Sequence, residues 1–380
     1  MREWSRSTRV AVGLYLLIAL GISAQQTVGN APSNNFAIFR ASFWHLVHGQ
    51  DLYAWYLAEY WDLFKYTPTC ALLFAPFALL PYAAGLIAWN VLNAMALCVA
   101  MLWLLPARAA LAALLICVLE AVGAVQNAQS NALVAALIIC SVLALERDRV
   151  AAGAAAVFAG ASIKLFPLSS GLFGLVAPQR WRHVAWCVVM GVVFAALPLL
   201  VTSPSQLIAQ YQSWLTVQEH DATLVGRAWI GGLVELLLGR AIPHGPVQVA
   251  GVLVTVVMAW LARDRWSDAV VRHLLLASLL VFSVVFNHMA ESPSFVIAYA
   301  GVGIWWASLP RERWRDAAVL LIVLLGSVGG SDIVPKHIRV EWHDRIQLKA
   351  IVCALAWFAV QYDLLRAVRT TPAAPALPAQ

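Results

Sequence analysis

The acids and lysines of this 380-residue chain fall in a few polar stretches between long apolar runs. Asp51, Glu59 and Asp62 occupy one stretch, and Glu219, His220 and Asp221 another. A carboxylate held near a hydroxyl can take its proton, which makes Asp51, Asp62 and Asp221 candidate bases. Lys164 stands before Leu165-Phe166-Pro167 with no acid beside it, and an ammonium so placed can hold a phosphate as a point charge. Lys65 and Arg40 are further candidates for the same task. Against these stand plain alternatives: solvated loop charges, helix caps, and a lysine snorkelling from a helix end.

Three other groupings could bear on a ligand. His45, His48 and Asp51 are three apart, so on a helix they would share a face and could in principle hold a divalent metal. Glu219-His220-Asp221 offers an acidic pair for the same purpose, yet no metal is expected at either place. His288 and Glu291, in Asn287-His288-Met289-Ala290-Glu291-Ser292-Pro293, are helix-spaced and could touch a sugar, although turn chemistry alone also accounts for Asn, Ser and Pro there. Glu120 lies near the end of an apolar run, where it either pairs with Lys164 or faces a cavity.

The elements that carry these residues are membrane helices. Hydrophobic residues make up 62% of the chain and charged ones only 12%, with a mean hydropathy of +0.77, whereas a soluble domain is about a quarter charged. The runs predict an all-α, polytopic protein of about twelve spans, near residues 8–24, 83–105, 109–125, 128–145, 150–163, 165–177, 184–201, 246–261, 273–286, 294–309, 317–329 and 347–365. Several are short, since fourteen helical residues reach only about 21 Å against a hydrocarbon core of roughly 30 Å. Short or broken helices must line a protein-walled cavity. Lys164-Leu165-Phe166-Pro167 is the plainest break.

Arginines such as Arg6, Arg9, Arg147, Arg149, Arg311, Arg313 and Arg315 crowd alternate loops, which places those loops and both termini in the cytoplasm of a multi-pass cell (inner) membrane protein. The longer segments, 25–82, 202–245 and 330–346, then face outward and hug the membrane through their tryptophans. Residues 1–370 form one integral domain, residues 371–380 a disordered cytoplasmic tail, and the first span is expected to be retained rather than cleaved as a signal peptide. The net charge of +6 is spread through turns, with no basic patch interleaved with aromatics to meet nucleic acid. The six cysteines have no paired spacing, so neither a disulfide framework nor a zinc site follows. No phosphate-binding GxxxxGK[ST] loop is present, and Gly301-Val302-Gly303 lies in an apolar run where close helix packing accounts for it.

Two regions carry a resemblance. Tyr66-Thr67-Pro68 followed by Pro76, Pro81 and Trp89-Asn90, then Gln126-Asn127-Ala128-Gln129-Ser130-Asn131, and then Gly160, Lys164 and Pro167 are similar in order and spacing to glycosyltransferase family 87, bacterial GT-C membrane enzymes. The stretch covers about residues 30–175. The resemblance implies a GT-C-like fold and a polyprenyl-phosphate-dependent hexosyltransferase, with mannose as the sugar, moved to a lipid-linked or cell-envelope acceptor outside the membrane. No cofactor is implied beyond the lipid donor, and the partners are membrane lipid, donor and acceptor.

It puts Asp51 in the family's G-x-D-P-Y place, Tyr66, Gln129, Asn131 and Lys164 in its motifs, and Asn34-Asn35 where its aspartate is usual. With the residues' own chemistry, the candidates are Asp51, Asp62 or Asp221 as base, Lys164, Lys65 or Arg40 on the donor phosphate, and Asn34, Asn35, Tyr66, Gln129, Asn131, His288 and Glu291 around donor or acceptor sugar. The chain departs from the family at Asn34-Asn35-Phe36, where an aspartate before an aromatic is usual, and at Ala128, where glycine is usual. Asparagine cannot serve as a base at neutral pH. A transporter or flippase of a lipid-linked solute, or a non-catalytic relative that binds a prenyl lipid, are the other functions compatible with the pattern.

Overall fold

The computed structural model describes residues 5–29, 33–223, 228–240 and 242–370. The proposed tail, 371–380, lies outside them, as do Arg2 and Arg227. Among the described residues the chain is all helix and turn. The helices are α1 (Arg6–Val28), α2 (Asn34–Val47), α3 (Pro68–Leu73), α4 (Ala75–Ala78), α5 (Tyr82–Leu104), α6 (Ala107–Gln126), α7 (Asn131–Glu146), α8 (Val150–Ile163), α9 (Leu172–Val176), α10 (Arg180–Ala196), α11 (Pro204–Thr223), α12 (Ile230–Leu238), α13 (His244–Ala262), α14 (Ala269–Val285), α15 (Phe295–Ala307), α16 (Arg313–Leu321), α17 (Lys336–Ile338) and α18 (Leu348–Arg369). Among the described residues, six stretches are long and apolar enough to cross a membrane, and α7, α8 and α14 are shorter apolar helices. The protein is polytopic and helical.

A helix that is apolar all round must be enclosed on every side, and α15 is such a helix: every residue from Phe295 to Trp305 is buried. It packs between α14 and α6, while α1 lies against α5 and α6, α5 against α7, and α14 against α18. Small residues permit the close approach. A Cβ on Gly301 would stand 2.7 Å from the Ala277 carbonyl oxygen, and one on Gly303 2.9 Å from that of Ala113. With hydrocarbon outside, packing and interhelical hydrogen bonds replace the hydrophobic effect as the glue. Tyr15 donates to Leu114 O at 2.9 Å, joining α1 to α6, and Asn90 Nδ2 to Ser23 Oγ at 2.9 Å, joining α5 to α1. By contrast α10 buries only His183 and shows Val184, Val188 and Val192 outward, the surface expected toward lipid.

Two departures from the expected spans matter for the site. Residues 165–177 are not one helix: the chain leaves α8 at Lys164, which is extended at φ −139°, then forms a 3-10 turn over Phe166–Gly171 before α9. Pro167 sits within that 3-10 turn, where a proline has no amide proton to give an α-helix. Gly160 accommodates it, since a Cβ there would lie 2.7 Å from the Pro167 ring. The longer polar segments between the apolar runs also contain helices, α2, α11 and α12. α2 stops at Val47, with His48 as its C-cap and Gly49 at φ +70°, so Asp51 does not share a helical face with His45 and His48.

Arginines and cavity occupy opposite ends of the bundle. Arg6 and Arg9 begin α1, Arg147 ends α7, Arg272 begins α14, and Arg366 ends α18. These ends are tied together by Arg147 to Trp103 O at 3.5 Å, Arg272 to Glu146 at 2.7 Å, and buried Arg315 to Asp363 at 3.1 Å. The opposite ends of α7 and α14 adjoin residues of the cavity wall, Gln129 and Asn287.

Candidate active site

The cavity holds about 340 Å³ and is half open. Its first wall comes from the Tyr66-Thr67-Pro68 stretch. Thr67 caps α3 by accepting from Cys70 N at 3.3 Å, and Pro68 opens the helix where its missing N–H costs nothing. The same threonine hydroxyl donates to Ser162 O at 2.8 Å, which brings Lys65 and Tyr66 beside the Lys164 turn at the end of α8. Tyr53 donates to Tyr66 O at 2.7 Å and secures the strip from its other side.

A second wall is α11. Trp214, Gln218 and Asp221 are spaced i, i+4, i+7, hence on one face. Trp214 Nε1 and Gln218 Nε2 both donate to Lys65 O, at 3.3 and 3.1 Å, and Asp221 pairs with Lys65 Nζ at 3.3 Å. The helix therefore grips Lys65 by backbone and side chain at once. The third wall is the turn after α14, with Asn287, His288, Met289 and Glu291. Gln129 reaches across to it, donating to Glu291 Oε2 at 3.3 Å. Gln129 is aimed by a turn in which Ala128 has φ +46°, left-handed backbone that favours glycine, and whose carbonyl accepts from Trp89 Nε1 at 2.8 Å.

Of the residues singled out from sequence, Asn35, Asp62, Lys65, Tyr66, Gln129, Lys164, Asp221, His288 and Glu291 all line this cavity. Four do not. Asp51 accepts from Tyr53 N at 3.1 Å and Ser213 Oγ at 3.4 Å in a turn outside the wall. Asn34 accepts from Trp61 N at 3.0 Å, Arg40 lies toward Tyr82, and Asn131 is buried behind Gln129 at 3.5 Å. Asn35 donates to Asn127 O at 2.8 Å. Glu120 pairs with Lys349, at the start of α18, at 3.1 Å and not with Lys164, and Lys349 also donates to Ser292 Oγ at 3.0 Å.

The charges within the cavity differ in how they are met. Lys65 and Asp221 neutralise one another. Lys164 has no carboxylate at ion-pair distance among the described residues; Glu291 acts on it through space, and its ammonium is 6.0 Å from the Phe166 ring centroid. Asp62 accepts from Leu63 N at 2.7 Å and has no cation at ion-pair distance among the described residues. The Tyr66 phenol is pushed far up by burial, then by Cys70, Glu291 and Asp62, so it stays protonated and acts only through its hydroxyl. Burial, and next His244, lower His288 below the usual histidine value, against a smaller opposing pull from Asp221. His288 is a neutral ring at pH 7.

Trp214 and Gln218 line the cavity without having been singled out from sequence as site residues, and Asn287, assigned there to turn chemistry, lines it too. For the first two, the i, i+4, i+7 spacing from Trp214 to Asp221 was the available signal.

The helical bundle thus encloses a chamber lined by acids, amides and lysines. The model of glycosyltransferase family 87 matches residues 64–293, and the chain belongs to that family. It is accordingly a membrane glycosyltransferase. No curated protein matches the chain.

Proposed function

We propose that this enzyme moves a sugar, mannose in the first instance, from a polyprenyl phosphate to a lipid-linked or cell-envelope hydroxyl on the extracytoplasmic face of the cell membrane, with both termini in the cytoplasm. The observation that carries this reading is the opposition of an unpaired cation and an unpaired base: Lys164 and Asp62 line one cavity and neither has a salt-bridge partner among the described residues. The arginine-bearing helix ends lie at the far end of the bundle, which supports the orientation.

Asp62 takes the proton of the acceptor hydroxyl as its oxygen bonds to the anomeric carbon. The bond from that carbon to the phosphate oxygen breaks with its electron pair. Lys164, with Lys65 behind it, meets the phosphate charge that grows as the bond breaks, the electrostatic contribution that most favours such a transition state. Gln129, Glu291 and Tyr66 supply donors and acceptors for sugar hydroxyls. Asp62 is favoured over Asp221 because a carboxylate already paired with Lys65 is a weaker base. The polyprenyl chain lies along the apolar flanks of the broken helices.

The test is donor choice by the full-length protein in lipid nanodiscs with a membrane lipid extract as acceptor. Labelled mannose should leave polyprenyl-phosphate mannose and not a nucleotide-linked mannose. Turnover of the nucleotide sugar, or of neither, overturns the proposal.

A further inference from the structure

The turn that carries His288 is docked against α13, which contributes nothing to the cavity wall itself. Gly251 admits the Phe286 ring so closely that a Cβ there would stand 2.4 Å from it. One turn earlier, Gln248 Nε2 lies 3.1 Å from Phe286 O and 3.0 Å from His288 Nδ1. His244, a further turn back, stacks on His288 with ring centroids 4.2 Å apart and an interplanar angle of 12°.

These contacts leave one proton arrangement. A backbone carbonyl only accepts, so the amide atom facing Phe286 O must be the NH2 group. Its second hydrogen then points at His288 Nδ1, which must offer a lone pair. The ring proton therefore resides on Nε2, and Nε2 is buried without a partner among the described residues. A buried N–H left unmet is costly, so whatever fills the cavity beside it must bring an acceptor. Asp221, an acceptor held by Lys65, lines the same cavity and its charge acts on the ring.

We propose that Gln248 fixes His288 as an Nε2–H donor, and that His288 and Asp221 together read one hydroxyl of the transferred sugar. A hydroxyl both accepts and donates, which matches a donor beside an acceptor. A phosphate only accepts at neutral pH and is repelled by Asp221 and Glu291. The choice of the transferred sugar rests on the reading of Lys164 as the phosphate holder, since the sugar attached to that phosphate lies in the same cavity. Gln248 is a positioning residue and His288 a specificity-determining one.

Two measurements on the full-length protein in nanodiscs test this. In 15N spectra of histidine-labelled protein at pH 7.5, the signal lost in His288→Phe should belong to an Nε2–H tautomer. The near-isosteric Gln248→Glu, which accepts where the amide donated, should move the proton to Nδ1. An Nδ1–H ring in the unaltered protein overturns the assignment. For turnover, polyprenyl-phosphate mannose is compared with its monodeoxy analogues. One analogue should lose about ten- to a hundredfold in kcat/KM with the unaltered enzyme, and little with His288→Phe, because a site built for a hydroxyl is penalised when that hydroxyl is missing. Gln248→Glu should be impaired at pH 7.5 and recover as pH falls through the His288 value of that variant, which the new carboxylate raises, because below it both ring nitrogens carry protons. The groups facing that ring are His244 from α13 and Asp221, paired with Lys65, from α11. An unchanged pH profile in Gln248→Glu, or equal losses for every analogue in both proteins, sinks the proposal. If no polyprenyl-phosphate sugar is turned over, the proposed function and the hydroxyl reading fall together, while the spectrum still decides the tautomer.

Discussion

Lys65 and Asp221, 156 residues apart in sequence, meet at 3.3 Å inside the cavity, where α11 also holds the Lys65 carbonyl through Trp214 and Gln218. The pair joins the strip after α2 to α11.

Breaking that pair should affect donor binding more than stability. Both side chains keep contact with solvent, and such ion pairs contribute about 0.2–1 kcal/mol. Lys65→Met and Asp221→Asn should each raise KM for the donor by roughly tenfold, and the double substitution should be no worse than either alone, as for residues acting as one unit. Steady-state kinetics of the three variants decide it. Multiplying losses would show the two residues acting separately.

The Lys164 turn depends on Gly160. A methyl at that position would meet the Pro167 ring at 2.7 Å and push the turn away from α8. Gly160→Ala should cost about tenfold in kcat/KM, and Lys164→Met about a hundredfold, from the loss of a charge-assisted contact worth about 1.5–3 kcal/mol. Wild-type kinetics in Gly160→Ala would mean the turn does not position Lys164.

Glu120 and Lys349 are buried between α6 and α18, with Ser327 donating to Glu120 at 2.7 Å. Removing one charge leaves the other uncompensated, at a cost of about 3–5 kcal/mol, whereas removing both can be near neutral. Lys349→Met should unfold at a clearly lower temperature in detergent, and Glu120→Met with Lys349→Met should recover most of the loss. Because Lys349 also holds Ser292, next to Glu291, the single variant should lose activity as well. A single variant as stable as the parent rules this out.

Ala128 occupies left-handed backbone at φ +46°. Replacing it with glycine removes strain of about 1–2 kcal/mol, partly offset by the extra freedom of the unfolded chain. Ala128→Gly should raise the unfolding temperature slightly and leave kcat intact. A lower unfolding temperature would refute the strain.

The pH dependence of stability follows from His288. Its value is lowered on folding, so its neutral ring stabilises the fold fully above the ordinary histidine value of about 6.5, and that contribution is lost as pH falls through the lowered value. The stability difference between the parent and His288→Gln should be level from about pH 8 to 7 and shrink below about 6. A difference that grows on acidification would mean the ring is charged in the folded protein.

Much of the fold was legible because the bilayer demands long apolar helices: α1, α5, α6, α13 and α18 stand where the apolar runs lie. The 165–177 stretch looked like a span by composition, but Pro167 converts its first half to a 3-10 turn. In the site, Tyr66, Gln129 and Lys164 could be singled out because turns and helix ends impose local residue choices. Long-range pairs could not. Nothing near Glu120 in sequence indicates Lys349, 229 residues on, and Asp51 and Asp62 looked alike until the turn at Gly49 and Tyr53 carried Asp51 outside the wall. Gln248 reads as one polar residue in an apolar helix, and its meaning depends on the Phe286 turn packed beside it.

In the proposed reaction Asp62 and Lys164 divide the chemistry, one taking the proton and the other holding the phosphate. The most direct measurement is single-turnover transfer from labelled polyprenyl-phosphate mannose, with donor binding measured in parallel, for Asp62→Asn. The account predicts donor affinity within about threefold of the parent and transfer slowed by about a hundredfold or more, the usual scale of general-base loss. Transfer at the parental rate in Asp62→Asn would contradict it.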